Sequence, residues 1–149
     1  MLLVNSFDGR EMYADYLRAN ALIVSDADSP ERALRHLDTI DPHVVVTDLV
    51  FQHSSYDGPG FLRTLRTRVD GATSILVVSG LVRQEDRDQA RAAGADLYLV
   101  KPALPSAVLY EVRRALLLRR SGRRLSWNWR DVPKEPVRVP LERRQSRVS

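Results

Sequence analysis

The sequence predicts an α/β fold in which a parallel sheet is wound with helices on both faces. Three observations predict it. Short runs rich in leucine and β-branched residues alternate with amphipathic stretches, the pattern of βαβ units. A run such as VVVTDLVF, residues 44–51, is almost continuously apolar, as in a strand covered on both faces. The 149 residues make one domain's worth of chain, able to bury a core without metal or disulfide staples.

Taken in order, the strands are expected at Leu2–Val4, Leu22–Ser25, Val44–Thr47, Ser74–Val78 and Leu97–Val100. The helices between and after them are expected at Arg10–Ala19, Pro30–Ile40, Pro59–Val69, Arg83–Ala93 and Pro105 to about Arg120. Asp28-Ser29-Pro30-Glu31 supplies an N-cap, a proline for the first turn and an acid favoured by the helix dipole. Gly94 follows Ala93 as a helix stop. In the last helix Val108, Leu109, Val112, Ala115 and Leu116 recur at three- and four-residue spacing, so one face turns to the sheet.

Five strands and five helices in alternation imply a doubly wound, flavodoxin-like sheet of order 2-1-3-4-5, with ligands beyond the carboxyl ends of the strands. Those ends are Asn5-Ser6, Asp48, Ser79-Gly80 and Lys101-Pro102. An aspartate seldom enters a buried strand unpaired, so Asp48 is expected at the crevice mouth, joined directly to Lys101 in a salt bridge. A carboxylate there is a potential nucleophile toward phosphorus, with the lysine and the Ser79 hydroxyl placed for phosphoryl oxygens.

Composition narrows the possibilities further. The chain has no cysteine, which excludes disulfides, thiolate zinc sites and a thiol nucleophile. No apolar run approaches the roughly 20 residues of a membrane helix, and the opening lacks the form of a secretory leader, so a cytoplasmic protein without membrane contact is expected. Residues 1–118 hold 13 Lys and Arg against 16 Asp and Glu, whereas residues 119–149 hold 10 against 3. A mildly acidic body at 1–120 therefore carries a basic tail at 121–149, which contains Trp127 and Trp129 and shows no apolar periodicity. The tail is expected to have no independent fold. Its cations and tryptophans suit single-stranded nucleic acid, but docking of the tryptophans on a neighbouring body or subunit is the favoured reading. His36, His43 and His53 show no ligand spacing and are expected at the surface.

Asp48 closing VVVTD, Asp57-Gly58 after a loop, Ser79 in ILVVSG and the segment GADLYLVKP together resemble the receiver domain of two-component response regulators, over roughly residues 1–118. The resemblance implies that Asp48 is the phosphoacceptor, Ser79 the hydroxyl that reaches the phosphoryl group, Lys101 its lysine partner and Tyr98 a switching aromatic. It also implies a cis peptide at Lys101-Pro102. The partners implied are a histidine kinase or another signalling protein, with a possible homodimer face on helix 4 (Arg83, Glu85, Asp86, Arg87, Arg91), strand 5 and helix 5 (Glu111, Arg113, Arg114).

Two positions depart from the family. Its Mg²⁺-binding acidic pair is matched here by Asn5 and Ser6, which leaves Asp48, Asn5 and the nearby Asp8 as candidate ligands. The loop through QHSSY is about two residues longer than usual. The expectation is an atypical, non-enzymatic response regulator acting by protein contact, with phosphorylation of Asp48 weak or absent. The alternatives are a Mg²⁺-dependent phosphoacceptor and a nucleic-acid-binding protein using the tail. A phosphatase is disfavoured because TDLV lacks a second acid two residues after Asp48.

Overall fold

The computed structural model describes residues 1–5 and 9–131. Its elements are β1 (Leu2–Val4), α1 (Gly9–Ala19), β2 (Ser25–Ala27), α2 (Pro30–His36), β3 (Val44–Thr47), α3 (Gly58–Arg68), β4 (Ser74–Ser79), α4 (Gln84–Ala92), β5 (Leu97–Val100), α5 (Pro105–Arg119) and β6 (Asn128–Asp131). All strand pairs are parallel, in the order β2-β1-β3-β4-β5-β6. The expected order is present, with a sixth strand added outside β5.

Side chains alternate across each strand, so the central strands serve two cores. Val44, Val46, Leu76, Val78, Leu97 and Leu99 pack with Leu17, Val108 and Val112 of α1 and α5. Val45, Ile75, Val77 and Tyr98 pack with Phe61, Leu62 and Leu65 of α3 and Ala90 of α4. Burial on both faces accounts for the unbroken apolar run of β3, and each large side chain so covered stabilises the fold by about 1.5–3 kcal/mol.

Two elements differ from expectation by more than one residue at an end. β2 is Ser25–Ala27, not Leu22–Ser25, because α1 ends in a tight turn that uses Leu22: Ala21 adopts φ +65°, and the Leu22 N–H donates to the Leu17 carbonyl at 3.2 Å. Pairing with β1 begins only at Ser25, opposite Leu2. Asp26 in this edge strand is paired with Arg10 and Arg18. α2 stops at His36, not Ile40, and its last turn tightens where the Thr39 hydroxyl donates to the His36 carbonyl at 3.2 Å. Its start is as expected, with Ser29 Oγ accepting the Arg32 N–H.

After α5 the chain turns at Gly122, φ +69°, with the Arg123 N–H bonded to the Leu118 carbonyl at 3.1 Å and the Gly122 N–H to the Arg119 carbonyl at 2.9 Å. The positive φ turns the chain back at the amino ends of the strands. There the Leu125 N–H donates to Ser74 Oγ at 2.9 Å and the Leu125 side chain enters the α1/α5 core. The chain then runs parallel to β5 as β6.

Candidate functional site: a carboxylate and a lysine at the strand ends

Asp48 immediately follows β3. Its N–H continues the ladder to the Val4 carbonyl at 3.0 Å, which fixes the residue at the carboxyl end of the sheet. Asp48 Oδ1 accepts the Leu49 N–H at 2.6 Å and the Val50 N–H at 3.3 Å, while Oδ2 accepts from Lys101 Nζ at 2.6 Å. Asp48 is 4% exposed, whereas the Lys101 side chain keeps 29% of its surface in solvent. The buried acid is thus satisfied by one cation and two backbone donors, as charge burial requires.

The neighbouring strands supply the other predicted residues. Ser79 ends β4, and its carbonyl accepts the Lys101 N–H at 2.8 Å. Ser79 Oγ accepts the Leu81 N–H at 3.3 Å. Lys101-Pro102 is cis. Tyr98 is wholly buried, and its hydroxyl donates to the Leu81 carbonyl at 2.8 Å. Burial raises its pKa above the ordinary 10.0, with the charges of Asp86 and Asp48 adding to the rise. Asn5 closes β1 as a buried residue whose carbonyl accepts from Arg10 Nη1 at 3.1 Å. Ser6 and Asp8 lie outside the described residues.

The donor chemistry decides the fit for Mg²⁺. The ion prefers six oxygens in octahedral geometry, normally including one or two carboxylates. At this site the described residues offer the Asp48 carboxylate, already bonded to an ammonium through one oxygen and to two N–H groups through the other, and the neutral Asn5. Among the described residues no group of three or more His, Cys, Asp or Glu side chains is arranged to hold a metal. The described donors do not fit Mg²⁺.

Two further residues bear on the site without a sequence signal that singled them out. Tyr13 of α1 lines a small cavity with Asn5, Thr47 and Asp48, and its hydroxyl donates to the Ala103 carbonyl. Its pKa is raised by burial and then by the Asp48 charge. Helical periodicity could have put Tyr13 on the inner face of α1, but not against the end of β3. The second is Glu31 in the first turn of α2, whose Oε1 accepts from Ser54 Oγ at 2.8 Å and from Ser55 N and Oγ at 3.2 Å each. These bonds, that to Ser54 foremost, hold the Glu31 carboxyl below its ordinary value.

The loop of residues 48–57 is therefore tied down at its serines. Its end is equally constrained: Asp57 caps α3 by accepting the Gly60 N–H at 2.7 Å. A Cβ on Gly58 would stand 2.6 Å from the Leu49 carbonyl oxygen, so only glycine fits without a shift of backbone.

The expected contact face also takes a different form. β5 is not an edge strand, since β6 pairs with it from Leu97↔Asn128 to Val100↔Asp131. Glu111, expected on the exposed side of α5, is 3% exposed and lies 3.3 Å from Arg114 Nε one turn on, a pairing that lets the acid turn inward. His43 and His53 are exposed and His36 is partly so.

Comparison with known proteins agrees with this architecture. Residues 5–113 match the family described as response regulator receiver domain. The transcriptional regulatory protein PrrA of Mycobacterium leprae is 30% identical over 133 residues, covering 89% of this chain and 55% of that protein. The chain thus spans about half the length of the curated relatives it matches. Among solved structures, a CheY-like response regulator receiver domain from Methanospirillum hungatei superimposes with a TM-score of 0.74 at 18% identity, covering 81% of this chain and 95% of that one. The chemotaxis response regulator CheY4 of Vibrio cholerae superimposes with a TM-score of 0.68 at 24% identity, covering 76% and 95%. With the motif residues brought to the carboxyl ends of a 2-1-3-4-5 sheet and the family matched over most of the chain, this protein belongs to the response regulator receiver family.

Proposed function

We propose that this chain is an atypical receiver that works in two-component signalling through protein contact, with phosphorylation of Asp48 weak or absent. One observation carries the reading: Lys101 Nζ stands 2.6 Å from Asp48 Oδ2. The site's single described carboxylate is thereby neutralised within the protein. A pocket with several acids draws in a cation that also offsets the charge of an incoming phosphoryl group, whereas one acid balanced by one lysine has no excess charge to hold that ion. The protein is then a non-enzymatic module of the cytoplasm, whose partners are a histidine kinase or another signalling protein. Contacts with them, or with a second copy, fall on the flanks of α4 and α5, because β6 covers the edge of β5.

The docking of both tryptophans on α4 favours this over nucleic-acid binding by the tail. Arg87 lies 3.9 Å over the Trp129 ring and Arg91 lies 5.8 Å from the Trp127 ring centre, so these rings are engaged within the chain.

The test is the intact mass of the protein after incubation with acetyl phosphate, with and without Mg²⁺, beside Asp48→Asn. The expected result is little or no adduct in any arm. A single phosphoryl adduct at high occupancy, lost in Asp48→Asn and lost without Mg²⁺, would replace this reading with a Mg²⁺-dependent phosphoacceptor.

A further inference from the structure

The segment from Arg124 to Asp131 crosses the flank of the sheet in two unequal parts. Its root is firm. Arg124 Nε bonds Asp96 Oδ1 at 3.0 Å, Arg124 Nη1 bonds the Gly71 carbonyl at 3.0 Å, and Leu125 is buried in the core. Its tip is lighter. β6 has four residues, Trp129 remains 42% exposed, and Arg87 and Arg91, both on α4, stack over the two tryptophans.

The tip lies over a residue linked to the site. Trp129 is the register partner of Tyr98, and in-register residues of parallel strands project to the same face. Trp127 packs against the core cluster that contains Tyr98. From Tyr98 a hydrogen-bonded path runs through the Leu81 carbonyl, then from the Leu81 N–H to Ser79 Oγ. Ser79 in turn borders Lys101 through the backbone. Without β6, the outer N–H and C=O groups of β5 would form an open edge, a ready template for another extended chain.

We propose that residues 127–131 form a built-in latch that confines the Tyr98 ring and fills the β5 edge, so that a partner adding an extended segment to β5 must first displace β6. The latch is held at its tip by the two arginine–tryptophan stacks and hinges at the firm root around Leu125. The signalling role of this face rests on the protein-contact reading above. The contacts do not, so phosphorylation of Asp48 would overturn that reading and leave the latch intact.

Trp127 and Trp129 are the only tryptophans in the chain, so fluorescence reports the latch directly. The experiment compares the full chain with Arg87→Gln/Arg91→Gln, which keeps both rings, and with Trp127→Ala/Trp129→Ala. Acrylamide quenching is read on the first pair and amide hydrogen exchange of Leu97–Val100 on all three. Release of the tip predicts stronger quenching in the arginine variant and β5 exchange faster by about tenfold in both variants, with circular dichroism showing an intact fold. Added peptide spanning residues 124–131 should slow that exchange again in the tryptophan variant. Unchanged quenching and unchanged β5 exchange in the arginine variant would overturn the latch. That variant decides alone if the tryptophan variant does not fold.

Discussion

Two nearly buried aspartates occupy opposite ends of the sheet, and they are built differently. Asp96 precedes β5 at the amino ends of the strands, is 5% exposed, and bonds two arginines: Arg66 Nη2 at 2.7 Å and Arg124 Nε at 3.0 Å. It also accepts the Ile75 N–H at 2.9 Å. Arg66 spans further, to the carbonyls of Gly94 and Thr73. Burial raises the Asp96 pKa, and the Ile75 N–H and both arginines pull against the rise. Asp48, at the other end, has one lysine whose side chain reaches solvent. The first aspartate is a structural clasp joining α3, the sheet and the segment after α5. The second is a single ion pair whose cation reaches water, so removing the acid strands no buried charge, whereas removing the lysine would leave the buried carboxylate with two backbone donors alone.

The comparison predicts an ordered series of effects. Asp96→Ala should be the most damaging, lowering stability in urea unfolding by about 3–5 kcal/mol, since it leaves Arg66 without its carboxylate in a largely enclosed site. A loss below about 1 kcal/mol would show that the clasp is dispensable and erase the distinction. Asp48→Asn should cost only about 1 kcal/mol, because Lys101 can turn to solvent and the amide oxygen still accepts N–H groups. Equal losses at the two positions in the same titration would break the comparison.

The smallest effect is expected at Glu31, which anchors the loop beside Asp48. Its pKa in the folded protein lies below the ordinary 4.5. Its contribution is therefore fully present above that value and is lost as pH falls through the lower, folded value. The Ser55 amide resonance should shift over that acidic range and stay fixed at neutral pH. In Glu31→Gln the acid-range shift should vanish with little change in stability. A Ser55 shift that persists in Glu31→Gln would assign the loop's response to another group.

Much of the fold was legible because two periodicities are local. β1, β3 and β5 fall where apolar runs place them, and β4 extends its expected run by Ser79. β2 was displaced because Leu22 had two possible uses, as strand residue or as the apolar stop of α1, and packing chose the second. β6 was not expected at all. NWRD has no strand-like alternation, and what makes it a strand is the open edge of β5 together with the arginines of α4. At the candidate site, Asp48, Ser79 and Lys101 stood out as polar residues ending apolar strands. Tyr13 and Glu31 did not, because their relation to the site passes through space from helices whose own sequence already accounts for them.

The amino-acid sequence by itself determined the alternation of strands and helices, the strand order that follows from parallel crossovers, and the polar residues that fall at the strand ends. These depend on short-range periodicity and on the cost of burying charge, which neighbouring residues already express. The tertiary structure alone decided that Glu31 reaches Ser54 at 2.8 Å, that Asp96 gathers Arg66 and Arg124, and that the segment after α5 returns to close the sheet. Each of these joins groups far apart in the chain. Their energies exist only once packing has brought them together and excluded the water between them.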